Sequence, residues 1–211
     1  MFRAAILMLL CGAASAHRLD EFLQASLISI AGDRITVELN LTPGVSLFAD
    51  VSRWMDQDQD GRLSEQEQEL YAQRVTRDVA LAVDHQTVSL ALLERQFPSM
   101  DAMREGLGTI RLRLRAEIAT QAAGSHRLQF QNRHQPAPSV YLANALAPLH
   151  GIEIQSQNRD PQQTTIAIDY RVTGLENLPA ASGGGWLQAA GLGALGALAW
   201  FLEKKSRRAS A

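Results

Sequence analysis

The densest chemistry in the sequence is one stretch of twelve residues, Asp56-Gln57-Asp58-Gln59-Asp60-Gly61-Arg62-Leu63-Ser64-Glu65-Gln66-Glu67. Aspartates hold every second position at 56, 58 and 60, and a glutamate closes the stretch at 67. Three carboxylates at that spacing repel one another unless a cation sits among them. Ca2+ is a hard cation that takes six to eight oxygens at about 2.3–2.6 Å, and a tight wrap of chain can present them in order. In such a wrap Asp56, Asp58 and Asp60 supply carboxylate oxygens and Arg62 its backbone carbonyl. Ser64 acts directly or through water, and Glu67 offers both carboxylate oxygens. Gly61 permits the positive φ that the wrap demands, and Leu63 turns an apolar side chain toward the core between the flanking elements. Ser64-Glu65-Gln66-Glu67 is also a capping box. The two roles agree, because Ser64 can open a helix while Glu67 turns its carboxylate to the ion.

The flanks predict the two helices that would position this loop. Thr42-Pro43 has the form of an N-cap followed by Pro at the first helical position. Leu47, Val51 and Trp54 or Met55 then recur at helical spacing, and beyond the loop Tyr71, Val75 and Val79 do the same. The segment resembles the EF-hand family over roughly residues 44–80, matching D-x-[DN]-x-[DN]-G-x5-E at every fixed position. That resemblance implies Ca2+ as the ligand and Asp56, Asp58, Asp60, Arg62, Ser64 and Glu67 as the ligating set. EF-hands usually pair to open a groove, whereas here no second copy occurs. A mainly structural site is expected, with the weak affinity, Kd about 10⁻⁴–10⁻³ M, that suffices outside the cytoplasm.

Outside the helical pair, placed at residues 43–80, the period is two. Ile35, Val37, Leu39 and Leu41 alternate with polar residues, which marks a half-buried strand, and residues 23–30 read as its hairpin partner. A hairpin over residues 81–92 turns at Asp84-His85-Gln86. Alternation returns at Ile110, Leu112 and Leu114, at Leu128 and Phe130, at Val140 and Leu142, at Ile152 and Ile154, and from Ile166 to Val172. Eight or nine short strands predict a mainly β fold, an antiparallel β-sandwich interrupted by a helix-loop-helix. Arg111, Arg113 and Arg115 read as the solvated outer face of one strand.

The ends of the chain read differently from its middle. Arg3, the apolar residues 4–10 and Ala14-Ser15-Ala16 form an export signal over residues 1–16, cleaved after Ala16. Cleavage removes Cys11, the single cysteine, and leaves no disulfide. A Gly-rich linker at residues 181–184 leads to residues 185–202, which carry no charge and one polar side chain, Gln188. This length is near the minimum for a C-terminal transmembrane helix. Lys204, Lys205, Arg207 and Arg208 in the basic tail, residues 203–211, keep that tail in the cytoplasm. The expected location is the inner membrane, single-pass, with residues 17–180 extracytoplasmic, in the periplasm or at the cell surface. A Gly-rich stretch, apolar helix and basic end also resemble sorting tails that some bacteria cleave. Gly185, Ala189, Gly193 and Ala197 form a small-residue stripe suited to self-association of two such helices. Gly191, Gly193 and Gly196 spell G-x-G-x-x-G, but no βαβ unit surrounds them, so no dinucleotide site is expected.

Of 211 residues, 20 are basic and 22 acidic, a net charge of -2. Arg3 and the four basic tail residues lie outside the exported part, as does Glu203, so that part holds 15 basic against 21 acidic residues, net -6. An acidic domain suits cations and argues against nucleic acid as a partner. No G-x-S-x-G or H-E-x-x-H occurs, and the mature chain has no thiol nucleophile, so no enzyme is predicted.

Beyond the loop, the residues His17-Arg18-Leu19-Asp20-Glu21-Phe22-Leu23-Gln24-Ala25, Leu41-Thr42-Pro43-Gly44, Gly108-Thr109-Ile110-Arg111-Leu112 and Ser139-Val140-Tyr141-Leu142 resemble the extracytoplasmic region of HupE/UreJ-type membrane proteins. The resemblance implies an accessory module for a separate membrane permease, possessing no transport domain of its own. A rival reading concerns His17. After cleavage its α-amine and imidazole form a nitrogen chelate for Cu2+ or Ni2+, to be completed by His85, His126, His134 or His150.

Overall fold

In a computed structural model, residues 20–135, 137, 139–146 and 151–173 are described. All fall in the first of two compact units, Met1–Glu176; the second, Asn177–Ala211, lies outside them. The export signal, His17, His150, the linker, the membrane span and the basic tail therefore fall outside the described residues. Among the described residues no helix is long and apolar enough to cross a membrane.

The alternation over Ile35–Leu41 does what its period demands. All four apolar residues of this strand, β2 (Arg34–Pro43), are buried. It pairs antiparallel with β1 (Phe22–Ile30) through the turn at Ala31-Gly32-Asp33, where Ala31 N–H donates to Arg34 C=O at 2.9 Å. A 3-10 turn at Val45–Leu47 then leads into α1 (Phe48–Met55) and α2 (Glu65–Asp78). The chain continues through β3 (Val79–Val83), β4 (Gln86–Val88), β5 (Ala91–Gln96) and the short α3 (Met100–Arg104). It ends in β6 (Ile110–Glu117), β7 (Gly124–Asn132), β8 (Ser139–Ala145), β9 (Ile152–Arg159) and β10 (Thr165–Val172).

The fold is mainly β, as expected, and the strands form two five-stranded sheets ordered β5-β6-β2-β1-β8 and β4-β3-β7-β10-β9. One apolar cluster draws on both: Leu39, Leu112 and Leu114 from the first, Leu81, Phe130 and Ile168 from the second, with Val51, Met55, Tyr71 and Val75 from the helices. Two sheets sharing a core are consistent with a β-sandwich. The arginine row faces outward: Arg113 reaches Glu38 at 3.5 Å and Glu94 at 3.6 Å, and Arg115 reaches Glu117 at 3.4 Å.

Several details differ from the sequence reading: α2 ends at Asp78, so Val79, read at helical spacing with Tyr71 and Val75, begins β3 instead. The pairing is not wholly antiparallel, since β1 runs parallel to β8, Phe22 opposite Ser139 through Ile28 opposite Ala145. The hairpin turns at Asp84 and His85, both at positive φ as a tight two-residue turn requires. Its second arm, however, stops at Val88, and the chain crosses to the other sheet as β5. Thr42-Pro43 opens no helix, because the ladder with β1 continues to Phe22 opposite Pro43 and the Thr42 hydroxyl bonds that of Thr109 at 2.8 Å. Helix α1 begins only at Phe48, with no side-chain cap. Sheet pairing outweighs a local capping preference worth about 1 kcal/mol.

The outer edge of β8 is covered by β9 side chains. Arg159 Nε donates to Ala143 C=O at 2.6 Å, and Ala145 N–H donates to Gln157 Oε1 at 3.1 Å. Arg95 of β5 joins the opposite edge to α2 through Glu65 at 2.9 Å and Glu69 at 2.6 Å. The first device satisfies backbone groups that an open edge leaves for other chains, and the second holds α2 alongside the sheet.

Candidate metal centre

Helix α1 buries Val51 and Met55 and delivers the start of the loop: Asp56 caps it, its N–H donating to Ser52 C=O at 2.8 Å. This places the Asp56 carboxyl inside, 7% exposed, while Asp58 and Asp60 remain exposed. The loop is drawn tight by its own carboxylates. Asp56 Oδ2 accepts from Gly61 N–H at 3.0 Å, Asp58 Oδ1 from Asp60 N–H at 3.2 Å and Asp60 Oδ1 from Arg62 N–H at 2.8 Å. Gly61 stands at φ +80 with open space where a side chain would begin, so backbone conformation, not crowding, is what asks for glycine. Leu63 packs against the core, as expected.

One carboxylate oxygen from each of Asp56, Asp58 and Asp60 lies within 4.8 Å of the others, the one such His/Cys/Asp/Glu group among the described residues. Asp56 Oδ1 is buried with no hydrogen-bond partner. A buried carboxylate oxygen without a donor is costly, and this one belongs to a carboxyl clustered with two others. The donor set is all oxygen and anionic, which fits a hard divalent cation and not a soft one.

Helix α2 delivers the far end of the loop. Ser64 is its N-cap and the capping box is complete: the Ser64 hydroxyl accepts from Glu67 N–H at 3.3 Å, and Ser64 N–H donates to Glu67 Oε2 at 2.9 Å. Glu67 Oε2 also accepts from the Ser64 hydroxyl at 2.8 Å, and Oε1 accepts from Gln57 N–H at 2.7 Å. These bonds, the Ser64 amide foremost, hold the Glu67 carboxyl below its ordinary value, so it stays ionised. The structure thus brings Asp56, Asp58 and Asp60 together but leaves Glu67 outside that cluster. Its two oxygens face the amides of Ser64 and Gln57, and the Ser64 hydroxyl is taken by Glu67. Arg62 is exposed, its amide bound to Asp60.

Among the described residues, His85, His126 and His134 join no metal-holding group. His85 occupies the exposed turn between β3 and β4. His126 lies 2.7 Å from Asp84 through Nδ1 and 2.9 Å from Ala122 C=O through Nε2. His134 is fully buried, Nδ1 on Asp78 at 2.7 Å and Nε2 on the Tyr71 hydroxyl at 3.0 Å. Both rings have their nitrogens engaged by neighbouring groups, and His17 and His150 lie outside the described residues. The His134 cluster, joined by Gln24, Asn132 and Tyr141, is invisible to sequence reasoning: Asn132-Arg133-His134-Gln135 reads as a polar loop, and its partners Asp78, Tyr71 and Gln24 stand 56 to 110 residues away. A buried polar cluster leaves no periodic trace.

No family model matches this chain, and comparison with curated proteins and with solved structures gives no significant match.

Proposed function

We infer that the loop from Asp56 to Glu67 binds Ca2+, and that the ion serves chiefly to fix α1 and α2 on a β-sandwich. The observation that carries this reading is Asp56 Oδ1, buried and unpartnered on a carboxyl that is clustered with those of Asp58 and Asp60. Asp56, Asp58 and Asp60 hold the ion, with the Arg62 carbonyl, Ser64 and Glu67 completing the shell. Bound Ca2+ offsets the repulsion among three carboxylates that otherwise oppose one another across the loop. Glu67 ties the loop to α2, since its Oε1 already accepts from Gln57 at the loop's start. Rotation of that side chain toward the ion exchanges two amide contacts for a bidentate one, and the capping serine can turn to water.

The exported, single-pass placement rests on the signal and apolar segments at the two ends, and the accessory role beside a membrane permease on the HupE/UreJ resemblance. In this reading the chain is a binding module without catalysis of its own, and its membrane helix serves as anchor and route to self-association. The test of the ion is calorimetric titration of the chain in detergent micelles. Heat of Ca2+ binding and a higher melting temperature at millimolar Ca2+ are expected, and the absence of both removes the site. Crosslinking and pull-down from membranes, with and without Ca2+, then tests the partner. Recovery of a metal permease supports the accessory role, and recovery of this chain alone replaces it with self-association.

A further inference from the structure

Two residues of α2 clasp one imidazole. His134 Nδ1 lies 2.7 Å from Asp78 Oδ2, and Nε2 lies 3.0 Å from the Tyr71 hydroxyl. An ionised carboxylate can only accept, so Nδ1 carries the proton, and Nε2 is bare and accepts from Tyr71. The ring has no room to turn away. His134 N–H donates to Asn132 Oδ1 at 2.9 Å, while its carbonyl accepts from Gln24 Nε2 and from the Tyr141 hydroxyl, both at 2.7 Å. The Phe22 and Tyr71 rings stand edge-on to it. Residues of β1, β8 and the end of β7 thereby hold the histidine, and the histidine holds α2. In that same helix Glu67 stands at the third position, one turn before Tyr71.

We propose that His134 is a proton switch on the cation loop: protonation of Nε2 strips Tyr71 of its acceptor, loosens α2 against the sheets and weakens Ca2+ binding at the other end of that helix. The switch rests on the reading of the loop as a Ca2+ site. Once Nε2 carries hydrogen, the 3.0 Å bond must reverse, Nε2 donating to the Tyr71 oxygen, and the Tyr71 hydroxyl, having lost its acceptor, must turn its own hydrogen elsewhere beside the Phe97 ring. Tyr71 is 2% exposed, so water is no ready substitute. The charged and titratable groups facing the ring are Asp78, Arg74 and Tyr71 of α2, with Tyr141 of β8 on its carbonyl; β1 presents only Gln24 and Phe22. Burial, aided by Arg74, outweighs Asp78 and holds the imidazole below its ordinary value, so it is neutral near pH 7 and takes a proton only in acid. By linkage the effect is reciprocal: the proton weakens Ca2+, and Ca2+ resists the proton.

The experiment measures Ca2+ affinity of the full chain in detergent micelles at pH 7.5 and 5.5 for wild type and His134→Gln. The two proteins differ only at residue 134, so the difference between them isolates His134. Wild type is expected to lose about fivefold more affinity than the variant, the low end of ordinary coupling between sites. Histidine NMR titration of wild type provides a second reading should His134→Gln not fold: the His134 pKa falls when Ca2+ saturates the loop, and Tyr71→Phe removes that displacement. Equal pH dependence in both proteins, or a His134 titration that Ca2+ leaves in place, overturns the switch while the Ca2+ site stands. No Ca2+ binding by wild type at pH 7.5 overturns the site, and the switch with it.

Discussion

Asn132 Nδ2 donates to Gln24 Oε1 at 3.0 Å, a buried bond that joins the end of β7 to β1 and so one sheet to the other. Gln24 is wholly inaccessible, and its amide is fully used, Nε2 donating to His134 C=O and to Ser139 Oγ at 2.7 Å each. Gln24→Leu keeps the volume but leaves the Asn132 amide buried without an acceptor. The expected loss is about 2 kcal/mol, read by urea unfolding with an unchanged denaturant slope. A loss below about 0.5 kcal/mol, the scatter of ordinary surface changes, contradicts the role given to this bond.

Ca2+ is expected to stabilise the fold by mass action. With Kd near 0.1 mM, 10 mM Ca2+ stands about 100-fold above it and adds about 2.7 kcal/mol. For a domain of this size that amounts to a rise of roughly 5–10 °C in melting temperature. Chelation with EDTA reverses it. Asp56→Ala removes the one buried aspartate of the cluster and abolishes the shift, so a variant that still responds to Ca2+ places the ion elsewhere.

Gly61→Ala tests the wrap. No neighbour obstructs a Cβ, but φ +80 costs an L-residue about 1 kcal/mol. Ca2+ affinity should fall several-fold, whereas Gly61→Asn, a residue that tolerates the left-handed region, should lose less. Equal affinity in all three proteins shows that the loop relaxes.

The two bonded histidines pull the pH dependence in opposite directions. The Asp84 carboxylate at 2.7 Å, together with Ala122 C=O, raises the His126 pKa above its ordinary value of 6.5. Folding is therefore strengthened fully below pH 6.5, and that contribution is lost as pH rises through the raised value. His134, lowered chiefly by burial, does the reverse: its contribution is complete above 6.5, and stability falls as acid protonates the unfolded chain first. Melting curves across pH 5 to 8.5 should show His126→Gln losing more at pH 6 than at pH 8.5. A uniform loss refutes the ion pair with Asp84.

What the sequence alone determined is what short stretches of backbone decide. Alternation buried Ile35, Val37, Leu39 and Leu41 and turned Arg111, Arg113 and Arg115 outward, because a strand has no other way to place side chains. The spacing of Asp56, Asp58 and Asp60 sufficed to gather their carboxylates, and Ser64 with Glu67 to cap α2, since those partners lie within a few residues of one another. Only the tertiary structure decided the rest. The same local preferences permit β1 beside β8 or elsewhere, a hairpin whole or divided between sheets, and Thr42 as cap or as partner of Thr109. Burial makes those choices, because apolar faces must close on one another and every polar group caught between them needs a partner. Gln24, Tyr71 with Asp78, and Asn132 with His134, drawn from three separate stretches of the sequence, became one network for that reason.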